Sequence, residues 1–355
     1  YEVMDLCLEC KACKAECPSN VDMAKLKYEF LDHYHRANGL PLRNKLFGGI
    51  EALNRVGSRL APVSNWIVNS SLNRWLMEAV AGIDRRRPLP QFARETFEEW
   101  FHKHRAAGDG SKGNVVLFHD TFNNYNTPHV AVAATGFLEK SGYRVLLAEK
   151  KCCGRPMISK GMLSQAKENA AWNVDKLAPY VEKGTPIVGL EPSCLLTLRD
   201  EYPEFIRTTA AKKIAENSFL LEEFVMREIN AGKLTLGSNG QEKKALLHGH
   251  CHQKALVGTA PTVAMLKAAG YDVSEVDSGC CGMAGSFGFE KEHYELSTKI
   301  GNRRLMPAVK AAAGDVVIVA GGISCRQQIE HLGGRKAKHP AELMWEGLSN
   351  KDGVR

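Results

Sequence analysis

Long apolar runs are missing from this chain. No segment stays hydrophobic for the roughly 20 residues that a membrane-spanning helix requires. The nearest, "LAPVSNWIVNSSLNRWLMEAVAGI" (60–83), is interrupted by asparagines, Arg74 and Glu78 and reads as an amphipathic helix pair. A G-x-G-x-x-G fingerprint is also missing, which removes the usual mark of a dinucleotide or flavin site. "GMAGSFG" (282–288) has the glycines without that spacing and reads as close packing. The charged, apolar and small-residue zones of a signal peptide are not seen, so the expected location is cytoplasmic, with attachment to the inner-membrane surface left open. Base-reading motifs are absent too, so the excess of basic residues does not point to nucleic acid.

Cysteine is absent between residues 18 and 151, yet the chain has eleven: four before position 18 and seven after 151, with two adjacent pairs. Adjacent cysteines make poor disulfide staples. A 355-residue chain that is 44% hydrophobic buries enough core to do without them. Metal ligation in a reducing compartment suits the distribution better. The first group, "CLECKACKAECP", spaces Cys7, Cys10, Cys13 and Cys17 as bacterial ferredoxins space the thiolates of a [4Fe–4S] cluster. In that pattern Cys7, Cys10 and Cys13 hold one cluster, and Cys17 serves a second whose own cysteine run is nowhere else in the sequence. Zinc sites rarely take three thiolates at two-residue spacing. Half of a two-cluster unit so close to Tyr1 leads us to expect the C-terminal part of a longer polypeptide, with the partner run upstream.

"SNVDMAKLKYEFLDHYHR" (19–36) predicts a helix capped by Ser19 or Asn20, with Leu26, Phe30, Leu31 and Tyr34 on one side. Residues 40–105 read as several helices broken at Pro41, Pro62, Pro88 and Pro90. The net charge of +7 is nearly all local: residues 36–105 hold twelve Lys/Arg against six Asp/Glu. That segment is either a solvated basic face or a docking surface for an acidic domain, membrane headgroups or an anionic substrate. "HRAAGDGSKGN" (104–114) is a polar linker, and an internal repeat lies beyond it. "VVLFHDTF" (115–122) aligns with "ALLHGHCH" (245–252), "KCCGRP" (151–156) with "GCCGMA" (279–284), and "GLEPSCLLTL" (189–198) with "AGGISCRQQI" (320–329). "YRVLLA", "PIVGLE" and "VVIVAG" read as strands buried on both faces.

The paired pattern of a cysteine, a Cys-Cys-Gly and a further cysteine resembles the cysteine-rich CCG domain of heterodisulfide reductases, the glycerol-3-phosphate dehydrogenase iron–sulfur subunit and lactate-utilisation proteins. "CLECKACKAECPSNVDMAKLKYEFL", "HGHCHQKAL", "SGCCGMAGSFGFEKEHYELS" and "GGISCRQQIEH" together resemble the C-terminal portion of FAD-linked oxidases of the D-lactate and D-2-hydroxyglutarate dehydrogenase type. The expected fold is mixed. Residues 1–36 form half of an α-helical ferredoxin-type domain, 37–112 a helical basic connector, 113–240 a first CCG α/β repeat with degenerate ligands, and 241–355 a second. The two repeats are expected as α/β lobes related by an approximate two-fold axis.

Against the family's five-cysteine pattern, the second repeat keeps Cys251, Cys280, Cys281 and Cys325 and has Gly322 at the penultimate position. The first keeps Cys152, Cys153 and Cys194, with Thr121 and Glu191 at the other two. The resemblance implies an iron–sulfur cluster or zinc in the second repeat. In the first, it allows a metal on Cys152, Cys153, Cys194 and Glu191 or thiols kept as small hydrophobes. The glycine after each cysteine pair is expected to make room for the inorganic core. His248, His250 and His252 are expected on one face of a strand, as metal or proton-handling groups or simply bonded to loop backbone. Arg155 and Arg326 adjoin ligand loops and either neutralise a cluster or pair with acids.

The resemblance implies an electron-transfer module. Chemistry on a 2-hydroxy acid would occur on FAD in a flavin domain upstream in the same polypeptide, and electrons would leave for a quinone or protein acceptor. One alternative is a catalytic second-repeat cluster with His250 or His252 as proton donor, as in disulfide-reducing relatives. Another is a zinc-bound docking domain. Self-association is left open.

Overall fold

Strands covered on both faces have to be apolar throughout, and the short strands here are: Val115 to Phe118 are all buried, as are Ile187, Val188 and Gly189. The computed structural model describes residues 1–237 and 243–349; the expected boundary between 240 and 241 lies outside the described residues. The first sheet contains β1 (Asn114–Phe118), β2 (Arg144–Leu146), β3 (Ile187–Gly189) and β4 (Ser218–Leu220), in the order β2-β1-β3-β4. The second contains β5 (Lys243–His248), β6 (Tyr271–Glu275) and β7 (Val317–Ala320), in the order β6-β5-β7. All pairings are parallel, with Leu117 opposite Val188 in one sheet and Leu247 opposite Val319 in the other. The chain is therefore mixed α/β. In both sheets the first strand lies between the second and third.

The two sheets share one core. Val115, Leu117 and Val188 from the first pack in the same cluster as Ala245, Leu247 and Val319 from the second. Parallel sheets expose their functional loops beyond the strands' carboxyl ends. Here Thr121, Cys194, Cys251 and Cys325 all come shortly after such an end.

Helices fill residues 42–48, 50–59, 63–69, 71–81 and 97–103, and Pro41 and Pro62 stand immediately before two of them. The helix after the cysteine run is Met23–Asn38, and its cap is neither Ser19 nor Asn20. Asp22 caps it, accepting from the N–H of Ala24 (3.0 Å) and Lys25 (3.3 Å). Its inward face is also not the expected one. Ala24, Lys27, Tyr28, Leu31 and His35 are buried, while Leu26 and Tyr34 are exposed. Tyr28 explains the rotation, because it packs on Ile158 and Leu163 of the first repeat. Among the described residues no helix is long and apolar enough to cross a membrane.

Candidate metal centre

The residues between the cysteines of the first run anchor it. Glu9 (φ 52°) and Lys11 (φ 60°) adopt left-handed backbone and are buried. Lys11 Nζ pairs with Asp200, with Glu201 at 2.7 Å and with Asp22 at 3.3 Å. Arg155 reaches Glu9 at 2.6 Å and Glu201 at 2.9 Å, so its guanidinium sits between the run and the first repeat. Burial alone would lower the Lys11 ammonium, but Glu201 and Asp200 outweigh it and raise its pKa. Cys7, Cys10 and Cys13 are electrostatic neighbours in sequence order. Cys17 stands apart, lowered by the backbone N–H groups of Val21, Ser19 and Asn20. The Met23 N–H points at Cys13 Sγ (3.3 Å).

The second repeat gathers its four cysteines. All four thiols are free, and hydrogen-bonding contacts link Cys251 to Cys280, Cys280 to Cys281, and Cys281 to Cys325. The imidazole of His248 joins them: its ligand atom and the sulfurs of Cys281 and Cys325 lie within 4.8 Å of one another. Its Nδ1 meets Ser278 Oγ at 3.0 Å, and its buried Nε2 has no partner among the described residues. Burial lowers His248 to about 3, so the ring is neutral with a free lone pair, the form in which histidine binds metals. Contact with Cys280, together with burial, pushes the Cys251 thiol well up. Thiols gathered out of water give up their protons to a cation, so this donor set fits a metal.

The three histidines do not share a strand face, because β5 ends at His248. His250 caps the helix Cys251–Leu256, and His252 lies inside that helix, so the polar cap interrupts the strand. Both are buried and held neutral by burial, His250 at about 4. His250 also accounts for Gly322. A Cβ there would lie 2.4 Å from its Cδ2, so the ring fills the space of the pattern's penultimate cysteine. The Gly282 backbone has φ 94°, and a Cβ would meet Ser297 O at 2.3 Å; left-handed backbone and a neighbouring carbonyl require this glycine.

The first repeat brings Cys152, Cys153 and Cys194 into mutual contact. Glu191 turns the other way: its carboxylate accepts from the Ile323 N–H of the second repeat (2.8 Å) and from Ser193 Oγ (2.9 Å). Thr121 Oγ1 is buried without a partner among the described residues. Arg326 meets no carboxylate within bonding distance among the described residues; it donates to the carbonyls of Ala320 (3.3 Å) and Gly321 (2.7 Å).

These parts meet around one cavity of about 180 Å³, lined by Cys7, Cys194, Cys251, His250, His252 and Glu191 together with Phe47, Phe122, Phe287 and Phe289. His252 Nε2 lies 2.7 Å from the Glu9 carbonyl, so the run is seated on the second repeat. Reading the sequence found the cysteines but missed Glu9, Lys11, Asp200 and Glu201, and did not separate His248 from its neighbours. Only the burial of charged residues marks them, and spacing carries no sign of it.

A model of the cysteine-rich CCG domain matches residues 116–199 and 246–330. A subunit of the anaerobic glycerol-3-phosphate dehydrogenase of Escherichia coli (strain K12) is 32% identical over 311 residues, covering 87% of this chain and 78% of that protein. D-2-hydroxyglutarate dehydrogenase of the same strain is 26% identical over 359 residues, covering 97% of this chain and 34% of that protein. Lactate utilization protein A of Oceanobacillus iheyensis is 26% identical over 216 residues, covering 58% of this chain and 82% of that protein.

Proposed function

This chain belongs to the family of that anaerobic glycerol-3-phosphate dehydrogenase subunit, with paired CCG cysteine-rich domains, and from that premise we propose that it is the electron-transfer module of a flavin-linked dehydrogenase. Cys7, Cys10 and Cys13 hold a [4Fe–4S] cluster. Cys251, Cys280, Cys281 and Cys325, with His248, hold a second iron–sulfur group. Such groups, when bound, take up and release single electrons at potentials set by charge, hydrogen bonds and burial. The chain's own residues bring the sites together, exclude water and fix their charge. Cys17, turned away from its neighbours, is left for a cluster completed upstream. The engagement of Glu191 by Ile323 and Ser193 supports a first repeat whose thiols serve as packed side chains. The repeated strand order supports two lobes related by a pseudo-two-fold axis.

One observation carries this reading: the first cysteine run docks directly on the second repeat, with the Glu9 carbonyl 2.7 Å from His252 Nε2 in the helix that begins at Cys251. Electrons move efficiently only between closely spaced centres, and a merely structural metal has no need of a neighbour. FAD would sit on a flavin domain supplied by the same polypeptide or by a partner subunit. The 2-hydroxy acid oxidised there is of the D-lactate or D-2-hydroxyglutarate class; glycerol 3-phosphate, which the name of the 32% identical relative carries, is the other candidate. The acceptor is a quinone or a protein.

The cavity favours a second reading, since His250, His252, Cys194 and Cys251 line one space as a disulfide-reducing centre would require. Anaerobic purification with metal analysis and electron paramagnetic resonance of the reduced protein tests both. Iron with signals from two interacting centres supports conduction, and turnover of a small disulfide supports catalysis. A colourless, zinc-loaded protein defeats both readings in favour of a docking domain.

A further inference from the structure

The first repeat sends one charge into the second. Glu191 lies just after β3, yet its carboxylate is aimed across the boundary between the repeats. Its Oε2 accepts from the Ile323 N–H at 2.8 Å, and its Oε1 lies 4.0 Å from His250 Nε2. A side chain on Gly321 would touch Pro192 Cγ at 3.5 Å, so the two loops abut. Ile323 opens the helix Ile323–Gly333, which carries Cys325 and has no side-chain cap from Gly322. Glu191 supplies that cap from the other repeat. His250 directly precedes Cys251. Its Nδ1 accepts from the His252 N–H (3.2 Å), so the neutral ring carries its proton on Nε2, the nitrogen that faces Glu191. The carboxylate therefore stands between the two loops that bring Cys251 and Cys325 to the second-repeat site.

Glu191 is only 2% exposed. Both of its oxygens accept, Oε1 from Ser193 Oγ at 2.9 Å, which is the bonding of a carboxylate. No lysine or arginine pairs with it among the described residues. The buried Arg326 instead donates to the carbonyls of Ala320 (3.3 Å) and Gly321 (2.7 Å). Burying a carboxylate without an ion pair is costly. Capping a helix asks for no such charge, because a neutral serine or asparagine oxygen does it as well. The cap explains the oxygen at this position but not the charge.

We infer that Glu191 is a positioning residue whose charge sets the reduction potential of the iron–sulfur group held by the second repeat. Reduction adds one electron, drawn from the flavin side, to a set of thiolates that is already negative. A fixed carboxylate beside them, screened by little water, opposes that gain and lowers the potential. The electron is then passed on readily to the acceptor. The inference rests on the electron-transfer reading and names what the first repeat, with two of its pattern cysteines replaced, contributes to it.

Redox titration of the anaerobically purified, metal-loaded chain, followed by electron paramagnetic resonance, tests it. E191Q keeps the shape of the side chain and one acceptor oxygen. Its second-repeat signal is expected at a higher potential, with reduction favoured on the order of tenfold, which is about 59 mV for one electron. E191D keeps the charge and is expected to titrate like the unaltered protein. Both variants are expected to retain iron. An unshifted potential in E191Q overturns the inference. So do equal shifts in E191Q and E191D, or loss of second-repeat iron from both, which assign Glu191 to packing alone. An unaltered protein with no redox-active group in the second repeat defeats the electron-transfer reading itself, and the inference falls with it.

Discussion

His248 and Gly322 show how much a single residue can decide at this centre. His248 presents an unpaired nitrogen to Cys281 and Cys325, so His248→Gln is expected to lower bound iron and alter the resonance of the reduced second-repeat site. Metal analysis and nitrogen hyperfine coupling check this; unchanged coupling would assign the nitrogen elsewhere. Gly322→Ala forces a methyl group into the His250 ring and is expected to cost about 1–3 kcal/mol, read from thermal unfolding. The sequence displays both residues but not their roles. A gap in a cysteine pattern announces that a ligand is missing, and only the folded backbone reveals that an imidazole fills the space. The cysteines were legible because short, fixed spacings are needed to wrap a small inorganic core, and such spacings survive in a linear string.

At the level of elements, the cysteine run is held by charge pairs from a distant part of the chain. Arg155→Ala would leave Glu9 and Glu201 buried with less compensation, an expected cost of about 3–5 kcal/mol. Faster hydrogen exchange in residues 7–18, with slower exchange preserved in β5 and β7, is the expected signature. His293 ties the segment before the run to the second repeat, with Nε2 3.0 Å from Asp5 and Nδ1 3.0 Å from Glu290. Burial would lower it, but the bonds to Asp5 and Glu290 outweigh that and push it up to about 9. Because the folded value lies above the ordinary 6.5, this stabilisation is full below pH 6.5 and is lost as pH rises through about 9. Melting curves of the protein and His293→Gln across that window should converge at its alkaline end. β1, β2, β3, β5 and β7 were readable from their apolar runs. β4 was not singled out, and β6 escaped because its outer side chains are exposed. The face of Met23–Asn38 misled because that helix packs inward with Lys27, Asp32 and His35 as well as Tyr28 and Leu31.

At the scale of the whole molecule, the connector joins the second repeat through the buried Arg87. Its guanidinium donates to the Gly288 carbonyl (2.7 Å), Gln328 Oε1 (2.5 Å) and Ser297 Oγ (2.7 Å), and Gln328 in turn donates to the Cys281 carbonyl (3.0 Å). Arg87→Ala is expected to cost about 1–3 kcal/mol for each acceptor left unpaired. Quicker release of iron from the second repeat to a chelator would report it. Membership of the repeats in one architecture was visible from their matching blocks, whereas the way the run lies across both could not be read without the fold. That seating has a consequence for biosynthesis. Glu9 and Lys11 are translated before their partners at positions 155, 200 and 201 and before the His252 side chain that meets the Glu9 carbonyl. The cysteine run therefore cannot complete these contacts until translation has passed the second repeat's first helix.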